Sequence, residues 1–155
     1  MKILHKITGK LLLEIDTLIG ANLKGSNLIG ADLRGVDMRY SRLEWADLRG
    51  ANLEGSNLKG VNLECANLEY ANLMGVNLEG ANLMGANVAT YQSGKWVAYI
   101  TTTHIVIGCK SFTIDEWLKF SDNDINKMDI NALDYWKESR EVIFSIHNIL
   151  VNRGK

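Results

Sequence analysis

Proline is absent from this sequence of 155 residues. Every residue past the first therefore keeps a main-chain N–H, which suits an architecture that hydrogen-bonds nearly all of its backbone. Cysteine occurs only as Cys65 and Cys109, too few for a disulfide framework. Neither sign of charge dominates: 17 Lys and Arg face 18 Asp and Glu, a formal net charge of −1. The basic excess of a general nucleic-acid binder is missing, so direct binding of duplex DNA is not expected. No apolar run approaches the roughly 18 residues of a membrane span. The first apolar stretch is broken by His5, Lys10 and Glu14, unlike a secretory signal. A cytoplasmic protein with no membrane partner is the expectation.

Catalytic residue types are also sparse. His5, His104 and His147 lie in three separate segments without metal-ligand spacing, so no metal and no cofactor are expected. His147 reads as a satisfied structural residue. Cys109 lies in an apolar segment and is expected to be buried; Cys65 has no histidine near it in sequence. Asp122, Asp124, Asp129 and Asp134 read as capping and solvent residues. No glycine-rich loop stands between a strand and a helix. The chain reads as a non-enzyme. With 46% apolar and 23% charged residues, it does not read as disordered either.

What is abundant is a repeat. Residues 21–90 divide into fourteen pentads, ANLKG, SNLIG, ADLRG, VDMRY, SRLEW and so on to ANVAT. The third position is Leu in twelve, and Met38 and Val88 in the others. The first is always Ala, Ser or Val, and the second is Asn or Asp except at Arg42. The fifth is Gly in nine. A period of five fits neither regular element. On a helix, five steps of ~100° scatter the leucines around the axis. On a strand, an odd period sends them to alternating faces. The chain must turn once per pentad. Positions one and three then share the inward face, Asn or Asp hydrogen-bonds the turning backbone, and Gly tolerates the corner. The outcome is a coiled β-solenoid, a mainly β fold.

The pattern A(N/D)LxG and its variants resembles the pentapeptide-repeat family. The resemblance implies a right-handed quadrilateral β-helix with four pentads per coil; the period alone does not give the number four. Fourteen pentads then make about 3.5 coils, roughly 17 Å of rod at ordinary strand spacing. Residues twenty apart should stack in columns such as Leu23, Leu43, Leu63 and Leu83, or Leu28, Leu48, Leu68 and Val88.

The flanks read as end covers, because solenoid ends leave strand edges open. Residues 1–20 suggest a hairpin cap with arms Ile3–Ile7 and Leu11–Ile15 and a turn at Thr8-Gly9, with Leu18 as an irregular extra rung. Residues 91–155 suggest a small α+β C-terminal cap. It holds strands over Trp96–Thr103 and His104–Cys109, and capping boxes at Thr113-x-x-Glu116 and Ser121-x-x-Asp124. A long helix opens at Asn131-x-x-Asp134. Segments Ile107-Gly108-Cys109, Glu116-Trp117 and Met128 through Trp136, with the hairpin, resemble tails and N-termini of phage and prophage pentapeptide proteins.

Family members that act on type II topoisomerases resemble DNA in shape and charge. Here the repeats carry eight acids and six bases, a net of −2, where about 17 Å of duplex carries about −10. The acids concentrate toward the C-terminal coil as Glu64, Glu69 and Glu79. Departures from the repeat are Tyr40, Trp45, Cys65 and Tyr70 in place of Gly, and Arg42 in place of Asn. With the acids, these residues are the candidate partner-binding set. Alternatively, the aromatics cover glycines on adjacent rungs. Met74 and Met84 point outward and are expected under the C-terminal cap. The helix stripe Leu133, Trp136, Ile143, Phe144, His147 and Leu150 is the candidate dimerisation surface, and family resemblance favours a homodimer through residues 131–151. The expected function is a non-catalytic interaction module of phage type. It would bind and inhibit or modulate a host protein such as a DNA-acting or defence enzyme. A small-molecule- or nucleotide-binding protein with a pocket at the cap or subunit interface, and a structural particle component, stay open as alternatives.

Overall fold

The structure, a computed structural model, describes residues 1–94, 96–129 and 131–153. The chain forms two compact units that meet in sequence at Asn87/Val88.

The first unit opens with β1 (Lys2–Leu4) and β2 (Leu11–Glu14), paired antiparallel. Both strands are shorter than the expected arms. After them the pentads coil. Parallel bridges join residues twenty apart, from Asn22 with Arg42 through Asn62 with Asn82, so four pentads make one coil. Each rung donates forward and backward. Leu23 N–H reaches the Arg42 carbonyl (2.8 Å), Gly25 N–H the Glu44 carbonyl (2.8 Å), and Arg42 N–H the Ala21 carbonyl (2.9 Å).

The pentad chemistry follows from its turn. Ser26 N–H donates to the Leu23 carbonyl (3.1 Å), closing a four-residue turn whose third residue is Gly25 at φ +65°. A turn of this kind needs positive φ at that residue, hence the glycine. The Asn before each turn holds it from the side: Asn62 Oδ1 accepts from Glu64 N–H (3.1 Å). Between coils the same amides stack, with Asn82 Nδ2 donating to Asn62 Oδ1 (3.0 Å). Leu33, Leu43, Leu53, Leu63 and Leu73 are fully buried, as the inward register requires.

The array includes the extra rung expected at Leu18 and ends earlier than expected. Leu18 is buried, Gly20 N–H donates to the Arg39 carbonyl (2.8 Å) and Ala21 N–H closes the turn on the Leu18 carbonyl (3.2 Å), so residues 16–20 form a turning rung, while the parallel bridges begin at Asn22. At the other end, Leu68 N–H takes the Asn87 side-chain Oδ1 (2.6 Å) where its counterparts take a main-chain carbonyl. Val88 does not close a fourteenth turn. It opens β3 (Val88–Ser93).

The second unit is a four-stranded antiparallel meander, β3 followed by β4 (Trp96–Thr101), β5 (His104–Ile107) and β6 (Lys110–Thr113). Two strands were expected here. Helices α1 (Ile114–Lys119), α2 (Asp122–Asn126) and α3 (Ala132–Asn152) follow. Thr113 and Ser121 form the two capping boxes. Asn131 does not cap as expected: it sits at φ +69° and makes no side-chain cap bond. The core of this unit joins Ala98, Ile100, Ile105, Trp117, Trp136 and Ile143. Trp117 stacks on Trp136 at 4.9 Å, and its indole N–H donates to the Ile105 carbonyl (3.0 Å).

Candidate functional site

Four residues besides glycine hold the left-handed corners of the solenoid: Tyr40, Trp45, Cys65 and Tyr70, at φ 54° to 62°. A side chain in that conformation costs roughly 1–2 kcal/mol relative to glycine. Two of them cover a glycine of the next coil. The Tyr40 ring lies where a Cβ on Gly60 would be, within 2.6 Å, and Cys65 Sγ does the same at Gly85, within 2.7 Å. Trp45 and Tyr70 leave 63% and 61% of their surface open, and Tyr40 60%. Trp45 and Cys65 occupy the same corner on successive coils. Met84, expected under cover, is exposed instead.

The charges are organised more tightly than the sequence reading allowed. Asp occupies the second position only in the three pentads whose fourth residue is Arg. Asp32 with Arg34, Asp37 with Arg39, and Asp47 with Arg49 pair at 2.7, 2.8 and 2.6 Å. Hydrogen bonds from the arginine side chains hold all three aspartates below their ordinary value. This Asp-x-Arg spacing was the signal that sequence reasoning missed.

Arg42 has a related explanation. It removes the Asn acceptor that the next turn would use, and Glu44 compensates. Glu44 accepts from Arg42 Nε at 3.1 Å. Its own main-chain N–H and the Arg42 guanidinium hold its carboxyl below the usual range. Glu44 is nearly buried, and its Oε2 has no hydrogen-bond partner.

Glu79 is paired with Lys59 of the preceding coil at 2.9 Å. Among the described residues, Glu54, Glu64 and Glu69 are then the solenoid acids without an ion pair, against Lys24 as the base without one. Glu64 adjoins the Cys65 corner, one coil on from Trp45, and Glu69 adjoins the Tyr70 corner, one coil on from Gly50 and within electrostatic reach of Arg49.

In the second unit, α3 turns Tyr135, Trp136, Ser139, Ile143 and Leu150 into the core, and contacts β3 and β4. Trp136, Ile143 and Leu150 are buried, while Leu133, Phe144 and His147 are half-buried. The stripe proposed for dimerisation thus packs on its own sheet. Val142, Ile149 and Val151 are the exposed large apolar residues of the helix. Burial pushes the Tyr135 phenol up to about 12.

Histidines serve structure. His5 Nδ1 accepts from Ile7 and Thr8 N–H (3.3 and 3.2 Å), its ring lies against Gly30, and His147 Nε2 donates to the Thr102 carbonyl (3.2 Å). Cys109 is exposed, contrary to expectation, because it lies in the tight turn between β5 and β6 and not within a strand. No group of three or more His, Cys, Asp or Glu suited to a metal exists among the described residues. None of their helices is long and apolar enough to cross a membrane.

Comparison with known proteins gives the same picture for the coiled unit. The family model described as pentapeptide repeats matches residues 18–55 and 51–88. Among solved structures, the pentapeptide repeat protein Rfr23 from the cyanobacterium Cyanothece 51142 is 41% identical, over 43% of this chain and 52% of that one, with a TM-score of 0.33. HetL from Nostoc sp. strain PCC 7120, a pentapeptide repeat protein involved in heterocyst differentiation regulation, is 35% identical over 45% and 37%, with a TM-score of 0.26. The pentapeptide repeat protein alr5209 from Nostoc PCC 7120 is 38% identical over 43% and 63%, with a TM-score of 0.18. The chain thus spans about a third to two thirds of these relatives' lengths. No curated protein matches it. Proteins of this kind are generally structural or interaction proteins. Residues 18–88 are thus pentapeptide repeats of the kind that defines that family.

Proposed function

We propose that the protein is a non-catalytic interaction module whose solenoid, of the right-handed quadrilateral type, docks a basic segment of a partner protein. One observation carries this reading. Every arginine of the coils is paired with a carboxylate two residues away, which leaves Glu64 without an ion pair beside the exposed Trp45, whose N–H donates to the Glu64 carbonyl, and Glu69 without one next to the exposed Tyr70. Lys and Arg side chains are attracted both to carboxylates and to the faces of Trp and Tyr rings. Trp, Tyr and Arg are also the residue types that dominate binding energy at interfaces. The resemblance to phage proteins makes a host protein acting on nucleic acid the natural partner class, with inhibition or modulation as the effect.

A pull-down from host lysate with the intact chain tests this. A protein captured by the wild type should be lost with Trp45→Ala and with Glu64→Lys plus Glu69→Lys, at unchanged melting temperature. Capture that is indifferent to both variants removes this surface from consideration. Homodimerisation remains a separate proposal. With the helix stripe packed on its own sheet, it would have to use the exposed Val142, Ile149 and Val151. A one-chain mass by light scattering at tens of micromolar would reject it.

A further inference from the structure

The second unit contains an opening of about 230 Å³. Its lining is aromatic, with the stacked pair Trp117 and Trp136 joined by Trp96 and Tyr135. Two residues of opposite charge line it as well. Lys110 starts β6, and Asp129 lies in the turn between α2 and α3. Neither is engaged in an ion pair among the described residues.

Size, wall and charge narrow the occupant. An apolar cavity of about 150 Å³ accepts benzene, and this one is about one and a half times as large, enough for a bicyclic ring. Aromatic walls favour a flat, polarisable guest that can stack or meet a ring edge. A cationic guest would meet Lys110, and an anionic one would meet Asp129. A neutral ring with a donor on one edge and an acceptor on another satisfies both. Purine bases have such edges: their ring nitrogens or carbonyl accept from lysine, and their amino or ring N–H groups donate to a carboxylate.

We propose that this cavity binds a neutral purine base, either free or as the base of a nucleoside. The site is separate from the solenoid corner, so the two readings stand or fall independently. Titration of the full-length protein with adenine and with hypoxanthine, followed by tryptophan fluorescence and melting temperature, tests it. At least one base should bind saturably, one per chain, and raise the melting temperature. Asp129→Asn and Lys110→Met should each weaken that binding about tenfold or more, the scale of one hydrogen bond to a charged group. Asp129 is exposed, so its variant should fold normally. Ala132→Leu, at the cavity wall, should abolish binding. Indole, similar in size but without the acceptor edge, should bind at least about tenfold more weakly. Adenosine binding as tightly as adenine supports a nucleoside as the source, and adenine alone supports the free base. Absence of saturable binding by either base at millimolar concentration overturns the proposal. So does indole binding equally well, or binding unchanged by both charge variants.

Discussion

A side chain at a left-handed corner is a cost that glycine would avoid, and the solenoid accepts it at four of its corners. At Tyr40 and Cys65 part of that cost is offset, because each side chain fills the space over a glycine on the next coil. Trp45, with 63% of its surface open, has less to offset it. Trp45→Gly should therefore raise stability by about 1 kcal/mol while weakening partner capture. Tyr40→Gly should gain less. Thermal melts of the two variants check the ordering, and a loss of stability in Trp45→Gly would show that the indole is held by the fold. Inside the coils the sign reverses. Leu53 is fully buried, so Leu53→Asp should cost several kcal/mol and unfold the array. Glu54→Lys, one residue on and facing out, should be close to neutral. Equal tolerance of both would invert the register described above.

At the scale of elements, the three helices differ in how they begin, and the difference is testable. Thr113 and Ser121 hold complete capping boxes, with Glu116 and Asp124 reaching back to the cap N–H groups at 2.8 and 3.0 Å. Thr113→Ala should cost about 1 kcal/mol. Asn131 enters α3 in the left-handed region without a cap bond. Asn131→Gly should leave the second unit as stable or more so, and Asn131→Ala should cost about 1 kcal/mol. Chemical denaturation followed by tryptophan fluorescence separates these outcomes, because three of the four tryptophans lie in the second unit. The two capping boxes were legible as motifs. Strands β3 and β6 were not, for a physical reason. They are the edges of the meander, and segments such as Thr-Tyr-Gln-Ser and Lys-Ser-Phe-Thr carry too little apolar alternation to announce a strand. Their pairing is decided by β4 and β5, which they flank.

Across the whole molecule, hydrogen bonds to carboxylates, from arginines at Asp32, Asp37 and Asp47 and from main-chain or hydroxyl donors at Glu44, Glu116 and Asp124, set the response to acid. Asp32, Asp37, Asp47, Glu44, Glu116 and Asp124 all have carboxyls held below their ordinary values of 3.8 or 4.5. A depressed folded value means that the contribution is complete above the ordinary value and is lost as pH falls through the folded one. Melting temperature should thus be flat through neutrality and drop below about pH 4. Tyr135 acts at the other end. Its phenol moves from 10.0 to about 12 on burial, so stability should decline as pH rises above 10 and level off near 12. Tyr135→Phe should remove that alkaline decline. The pairing of the arginines leaves no free basic face on the coils, and the protein should not retain duplex DNA at physiological salt. Micromolar binding with a steep salt dependence would displace the protein-partner reading.

The sequence by itself determined the coiled unit. A period of five with Leu at its centre and Gly at its end permits one solution, a turn per pentad with leucines inside, because neither helix nor strand keeps those leucines on one face. It also determined which residues depart from that solution, from Tyr40 to Tyr70. Only the tertiary structure decided that four pentads close a coil, since the pairing of Asn22 with Arg42 depends on how corners meet in space and not on the period. It also decided which charges are active. Asp32 and Glu64 are equally acidic in the sequence, yet Arg34 neutralises the first and no cation pairs with the second among the described residues. Likewise Trp136 reads as one apolar residue of a helix stripe, and only packing makes it both the stacking partner of Trp117 and a wall of the cavity. Local pattern is set by neighbours in the chain, whereas pairing, enclosure and exposure are set by neighbours that folding brings together.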